Sequence, residues 1–171
     1  MKGSTDSSKS TKHPEVEIRP AQKQDRSFVR SLAVDVFSVY GSYGSYLAEW
    51  FDSEEVATWI AEVEEKPVGL VKIQPRPHRR NPQAAAAELL AIAVVPAEQS
   101  RGVGSVLLDY ALSVASSLPC PLPIIEIHLS VAEGNSKAQR LFSRRGFRFR
   151  GGEGIYPAGQ RALHMIRKID P

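Results

Sequence analysis

Residues 87–104, AELLAIAVVPAEQSRGVG, hold the side chains and spacing best suited to chemistry. A long apolar run carries one carboxylate, Glu88, and ends at Pro96. It passes into Gln99, Ser100, Arg101, Gly102, Val103 and Gly104, and a helical pattern begins at once. Strand, glycine-containing loop, helix is a geometry that presents backbone N–H groups to a pyrophosphate. Gly102 and Gly104 permit close backbone approach, the new helix adds its dipole, and Arg101 can add a charge-assisted contact to phosphate. The alternative for these residues is an ordinary strand-to-helix turn. A carboxylate in an otherwise apolar strand is desolvated, which fits it to accept a proton as a general base. The alternative for Glu88 is a strand-edge glutamate paired with a surface arginine or lysine.

The elements that must position these residues follow from periodicity. Residues 16–20 read as a first strand ended by Pro20. Over 25–40, Phe28, Leu32, Val36 and Val39 recur at helical spacing, and the GSYGSY of 41–46 breaks that helix before a short one through Leu47 and Trp50. Residues 56–63 and 68–74 form a hairpin with its turn at 64–67, and 75–83 (PRPHRRNPQ) is a proline-broken basic loop. The longest strand is 84–95. A helix over 102–118 places Val103, Val106, Leu107, Tyr110, Ala111 and Val114 on one face, and Pro119, Pro121 and Pro123 stop it. Ile125, Ile127, Leu129 and Val131 alternate as a strand. Residues 135–145 form a short helix with Ala138, Leu141 and Phe142 inward and Gly146 at its C′ position. Strands at 147–150 and 162–169 close the chain, joined by the glycine-rich loop 151–159. Hairpins mixed with helical crossovers give a mixed sheet and the α+β class. No internal repeat is present.

The bulk properties agree. The 171 residues are 42% hydrophobic and 24% charged, which suits one domain, 15–171, behind a polar tail at 1–14 read as a solvated, disordered terminus. A net charge of +3 is too weak to argue for nucleic acid. One cysteine, Cys120, excludes an internal disulfide framework and a cysteine zinc site, and points to a reducing, cytoplasmic setting with no metal. No apolar run has the length of a membrane span, and the N-terminus lacks the apolar segment of a signal peptide.

Four pieces in order resemble the GNAT superfamily of acyl-CoA-dependent N-acyltransferases. Residues 99–104 match its Q/R-x-x-G-x-G/A loop, and strand 91–96 runs into them. Asn135, Ala138, Leu141, Phe142, Gly146 and Phe147 match its N-x-x-A-x-x-L-Y-x-x-x-G-F pattern. Residues 156–159 with 162–165 are similar to its closing hairpin. The resemblance covers residues 84–169. It implies a three-layer α/β sandwich, a largely antiparallel sheet with strands four and five splayed, and acetyl-CoA as co-substrate. By the same resemblance Ile92, Ala93 and Val94 line the pantetheine slot, Asn135 bonds the pantetheine arm while serving as an N-cap, and a backbone N–H near Val94 faces the thioester oxygen.

The implied reaction is acetyl transfer to a primary amine through a direct ternary complex, with Glu88 as base. Phe142 departs from the pattern, because many members have a general-acid tyrosine there. Tyr156 is the first substitute, with Tyr40, Tyr43 and Tyr46 behind it, although Tyr156 equally suits hairpin packing. Thiolate can also leave without full protonation. Some relatives place a base on strand five, where this chain has Ser130. His128 reads as a residue of that strand's polar face, and Cys120 has no histidine partner to make it a nucleophile. Arg79, Arg80, Arg144 and Arg145 read as solvated. The loops 40–51, 75–83 and 151–160 select the acceptor, leaving a protein N-terminus, a lysine side chain, a polyamine, an amino acid or an aminoglycoside. Phe142 motivates the rival reading, a non-catalytic acyl-CoA sensor. A binder of anionic polymers is a third, weakened by the modest charge.

Overall fold

The computed structural model describes residues 15–169; the tail at 1–14 lies outside them. Its strands and α-helices run β1 (Glu17–Pro20), α1 (Arg26–Phe37), α2 (Tyr43–Glu49), β2 (Ala57–Val63), β3 (Lys66–Pro77), β4 (Ala85–Val94), α3 (Val103–Val114), β5 (Ile124–Ala132), α4 (Ser136–Arg144), β6 (Arg148–Ile155) and β7 (Arg161–Lys168). The strands form one sheet in the order β1-β2-β3-β4-β5-β7-β6. Every neighbouring pair is antiparallel except β4 and β5. A parallel pair needs a crossover, and α3 provides it. The mixed sheet with helices on both faces is the class the sequence implied.

The pairing of β4 with β5 stops early. It runs from Ala85↔Ile124 to Leu89↔Leu129, while β4 continues to Val94 and β5 to Ala132. On the other side of β4 the register steps from Lys72↔Ala91 to Ile73↔Leu89, which leaves Leu90 as an extra residue. Such a bulge bends its strand and increases the local twist. The two parallel strands therefore separate at Leu90 and open a cleft. The Tyr43 hydroxyl on α2 donates to the Leu90 carbonyl at 2.9 Å, so the displaced carbonyl keeps a partner.

Two apolar layers hold the sheet. On one face Val103, Leu107, Leu108 and Ala111 of α3 pack on Val71, Ile73, Ile127, Leu129 and Met165, with Phe142 and Phe147 alongside. On the other, Val29, Leu32 and Ala33 of α1 and Leu47 of α2 pack on Ile60, Leu70, Leu90 and Ala93. Gly44 lets the two helices meet, since a Cβ there would stand 2.7 Å from the Ala33 carbonyl oxygen. Among the described residues no helix is long and apolar enough to cross a membrane.

Several boundaries differ from those read in the sequence. α3 ends at Val114 and tightens into a 3-10 turn at Ala115–Ser117. Its inward face takes Leu108, while Val106 is exposed. β3 continues through Pro75 and Pro77, pairing with Ala87 and Ala85, so part of the supposed basic loop is strand. β6 likewise runs to Ile155, shrinking the glycine-rich loop to a turn in which the Gly159 N–H donates to the Tyr156 carbonyl at 2.8 Å. The hairpin turn before β3 needs positive φ at both central residues, and Glu64 (49°) and Glu65 (61°) adopt it.

Candidate active site

The cleft gives β4 an open edge. Side groups in a strand alternate, so the backbone groups of Leu90, Ile92 and Val94 point to the side that β5 has vacated. Tyr43 takes the Leu90 carbonyl, and Gln99 Nε2 donates to the Val94 carbonyl at 3.0 Å. Between them Ile92 is left with its N–H and C=O facing the cleft, and the Val94 N–H faces it too. An extended amide chain can pair with such an edge in the manner of an added strand.

The edge leads into a groove of ≈ 560 Å³ lined by Ile92, Val94, Gln99, Ser100, Gly102 and Gly104 on one side and by Lys137, Arg140 and Arg144 on the other. Ser100 (φ 64°) and Gly102 (φ 92°) both take left-handed conformations, and Gly102 is the N-cap of α3, with Val103 as its first helical residue. A Cβ on Gly102 would meet nothing within 4 Å, and one on Gly104 would meet only Leu141 and Val94, each at 3.9 Å. The loop is thus clear above its amides. Arg101 is turned onto Glu98, at 2.9 and 3.1 Å. Lys137 instead reaches the loop, bonding Ser100 Oγ at 2.8 Å. Arg144, read as solvated, lines the groove, while Arg145 pairs with Asp109 at 3.0 Å. Asn135 caps α4 by accepting from the Ala138 N–H at 3.1 Å and lines both this groove and the cavity next to it.

That cavity, ≈ 80 Å³, lies at the mouth of the cleft between Leu90, Ala91, Ile92, Ser130 and Val131. Tyr40, Tyr43, Phe142 and Tyr156 complete its wall. Tyr156 stacks on Tyr40 with ring centroids 4.6 Å apart and meets Tyr43 edge-on at 5.5 Å. Burial, with Tyr40 adding to it, pushes the Tyr156 phenol up to about 12, so it keeps its proton. Tyr43 is raised further by burial, and its proton is committed to Leu90. Phe142 is buried against Phe147 at 5.8 Å.

Below the cavity, on the face that carries α1 and α2, Glu88 stands opposite His128 of β5. Arg76 of β3 makes an ion pair with Glu88. The strand glutamate is therefore paired with an arginine. Arg76 itself is shifted down by burial and by Arg79. Next along β5, Glu126 accepts from two histidines, His78 at 3.1 Å and His128 at 3.0 Å. Burial pushes Glu126 up, and these hydrogen bonds outweigh it, leaving the carboxyl below its ordinary value. His164 of β7 meets the His128 ring at 5.2 Å. Sequence reading passed over His78, Glu126 and His164. The even-numbered polar residues of β5 were the available signal, but their partners come from just after β3 and from β7, distant in the chain.

The bulge-opened parallel pair, the clear glycine loop and the cationic face of α4 thus form one continuous groove. The description "Acetyltransferase (GNAT) family" matches residues 24–147, and the chain belongs to that family. Solved structures agree on the fold. Arabidopsis thaliana NAA60 in complex with a bisubstrate analogue superposes with a TM-score of 0.76 at 16% identity, covering 91% of this chain and 99% of that one. The NatC complex bound to Gag peptide and CoA gives 0.69 at 19%, covering 91% and 99%. Spermidine N-acetyltransferase from Vibrio cholerae, in complex with CoA and spermine, gives 0.66 at 18%, covering 90% and 95%. None of the curated proteins compared by sequence matches the chain.

Proposed function

We propose that the chain moves an acetyl group from acetyl-CoA to a primary amine through a direct ternary complex, with Glu88 as general base. The observation that carries this reading is the cleft at Leu90. It joins the clear glycine loop at one end to the tyrosine-walled cavity at the other, and Glu88 lies two residues before the bulge, where β4 is still paired with β5. The residues fit acetyl-CoA. The amides around Gly102 and Gly104 and the cations Lys137, Arg140 and Arg144 suit a pyrophosphate, and the open edge at Ile92, Ala93 and Val94 with Asn135 suits pantetheine. When bound, acetyl-CoA supplies a thioester, an acetyl carbon already activated toward an amine.

This chain's residues then supply the rest. Glu88 takes a proton from the ammonium, directly or through water. The Val94 N–H faces the cleft, where charge develops on an acyl oxygen. Tyr156 stays protonated across the cavity and is the donor for the departing sulfur in place of Phe142. The steps call on no metal ion. One catalytic domain over 15–171 in a reducing cytoplasm is the setting they assume. The aromatic wall suits a cationic acceptor, and the polyamine and peptide named for the relatives are both amines.

Glu88→Gln tests the role of the base. Turnover at neutral pH should fall by about 10²-fold while the acetyl-CoA Kd from calorimetry stays unchanged. Equal activity across pH removes Glu88 from the mechanism. Phe142 favours one rival, a non-catalytic acyl-CoA sensor, since its ring offers no proton to a leaving thiolate.

A further inference from the structure

The cluster beside Glu88 has a chemistry of its own. The nearest ligand atoms of His78, Glu126 and His128 all lie within 4.8 Å of one another, as in a metal site. The far side of His78 decides otherwise. Its Nδ1 receives the backbone N–H groups of Arg80 (3.3 Å) and Asn81 (3.0 Å). A ring nitrogen that accepts carries no proton, so the proton of the neutral imidazole sits on Nε2. That Nε2 donates to Glu126 and has no lone pair for a cation. Metal-binding histidines show the reverse pattern, with the second ring nitrogen donating to a carbonyl or carboxylate.

The arrangement is therefore a hydrogen-bonded chain. His78 donates to Glu126 Oε2, and the carboxylate takes the His128 Nε2–H on the same oxygen. His128 is left with a lone pair on Nδ1. A carboxylate behind an imidazole fixes its tautomer and stabilises the imidazolium when it forms. His128 is the register partner of Glu88, and its side chain shares a strand face with Ser130 of the cavity wall, about 6–7 Å along the strand. The titratable groups against it are Glu126 on its own strand, His78 just after β3, Glu88 in register on β4 and His164 on β7, while Arg76 pairs with Glu88 and Arg76, Arg79 and Arg150 act on His164.

We propose that His128, backed by Glu126 and His78, is a second proton acceptor of the active site, relaying the amine's proton from Glu88 to solvent. The proposal rests on the acyl-transfer reading. Acetylation strips two protons from an ammonium nitrogen. The first leaves so that the nitrogen lone pair can form the N–C bond, with the C–S electron pair departing on sulfur. The second leaves as the amide forms. One ends on the thiol and the other in water. Glu88, once it has taken a proton from the ammonium, must be returned to its carboxylate before the next turnover. His128 Nδ1 receives that proton, the imidazolium rests against Glu126, and release to water restores the neutral ring.

Two measurements test this on the full chain. The ¹⁵N-imidazole correlation spectrum of its four histidines, recorded without cofactor at mildly alkaline pH, should show His78 and His128 as Nε2–H tautomers, unmoved by one equivalent of Zn²⁺. A His128 carrying its proton on Nδ1, or Zn²⁺-induced shifts at both rings, overturns the proposal. His128→Ala should lower kcat about 10²-fold with acetyl-CoA affinity unchanged, and added imidazole should restore part of the rate. His128→Gln, which keeps a donor for Glu126, should show the same loss. In Glu126→Gln the acid limb of kcat/KM should move to lower pH, because the imidazolium has lost its counter-ion. Unchanged turnover, or a loss that imidazole does not relieve with an unshifted pH profile, refutes the relay. A wild-type chain that acetylates no amine overturns the acyl-transfer reading itself, and the relay with it, whichever tautomer is found.

Discussion

Lys72 offers a quantitative test of how the sheet face under α1 and α2 is built. Its side chain is fully buried on β3, with Nζ 3.2 Å from Thr58 Oγ1 and 5.4 Å from the centre of the Phe51 ring. Burial lowers the ammonium from its ordinary 10.5 to about 8, against a small opposing pull from Asp52. That gap corresponds to about 3 kcal/mol between the two protonation states. The sign follows from proton counting. Below pH 8 both folded and unfolded chains carry the proton, and the folded state bears the full penalty. Between 8 and 10.5 the unfolded chain holds more protons than the folded one, so stability rises with pH. Above 10.5 the penalty is gone. Lys72→Met keeps the length and removes the titration. Urea unfolding of both proteins from pH 7 to 11, subtracted at each pH, cancels the other titrating groups. The wild type should gain on the variant by roughly 3 kcal/mol across that window, and the variant should be the more stable at pH 7. A flat difference, or one of opposite slope, refutes the burial argument.

Three other substitutions bear on the scaffold and the site. Gly104→Ala places a methyl in the open groove at ordinary contact distance; thermal stability should hold or rise, while acetyl-CoA affinity by calorimetry should fall at least about tenfold, roughly 1.4 kcal/mol. Gly44→Ala drives a Cβ against the Ala33 carbonyl; stability should drop by roughly 2 kcal/mol, seen as a Tm lower by about 4–8 °C. Tyr156→Phe should lower kcat about tenfold with acetyl-CoA affinity retained; an unaltered kcat assigns Tyr156 to packing on Tyr40.

The glycine loop and the Asn135 helix were legible because their signals are local. Gly102 begins α3 within a few residues of Pro96, and Asn135 caps the next helix with its own side chain. The place of Glu88 was legible as the lone charge in an apolar run. Its partner Arg76 was not, because that pair depends on the β3–β4 register and on β3 extending past Pro75. The Leu90 bulge leaves no mark in an alanine- and leucine-rich strand. Its partner Tyr43 lies 47 residues away. Arg101 shows the limit of reading charge by adjacency. Glu98, three residues back, captures it, and Lys137 from α4 takes its place at the loop. The cluster takes Glu126 and His128 from β5, His78 from just after β3 and His164 from β7, so only the sheet order could reveal it.

The central claim is most directly tested by titrating the chain with acetyl-CoA in a calorimeter and then, in the same preparation, following thiol release against a panel of amines. Saturable one-to-one binding with release that depends on the amine is the predicted result. Absence of binding would contradict the assignment of the Gln99–Gly104 loop, and binding without release to any amine would contradict the catalytic role of Glu88 in favour of a sensor.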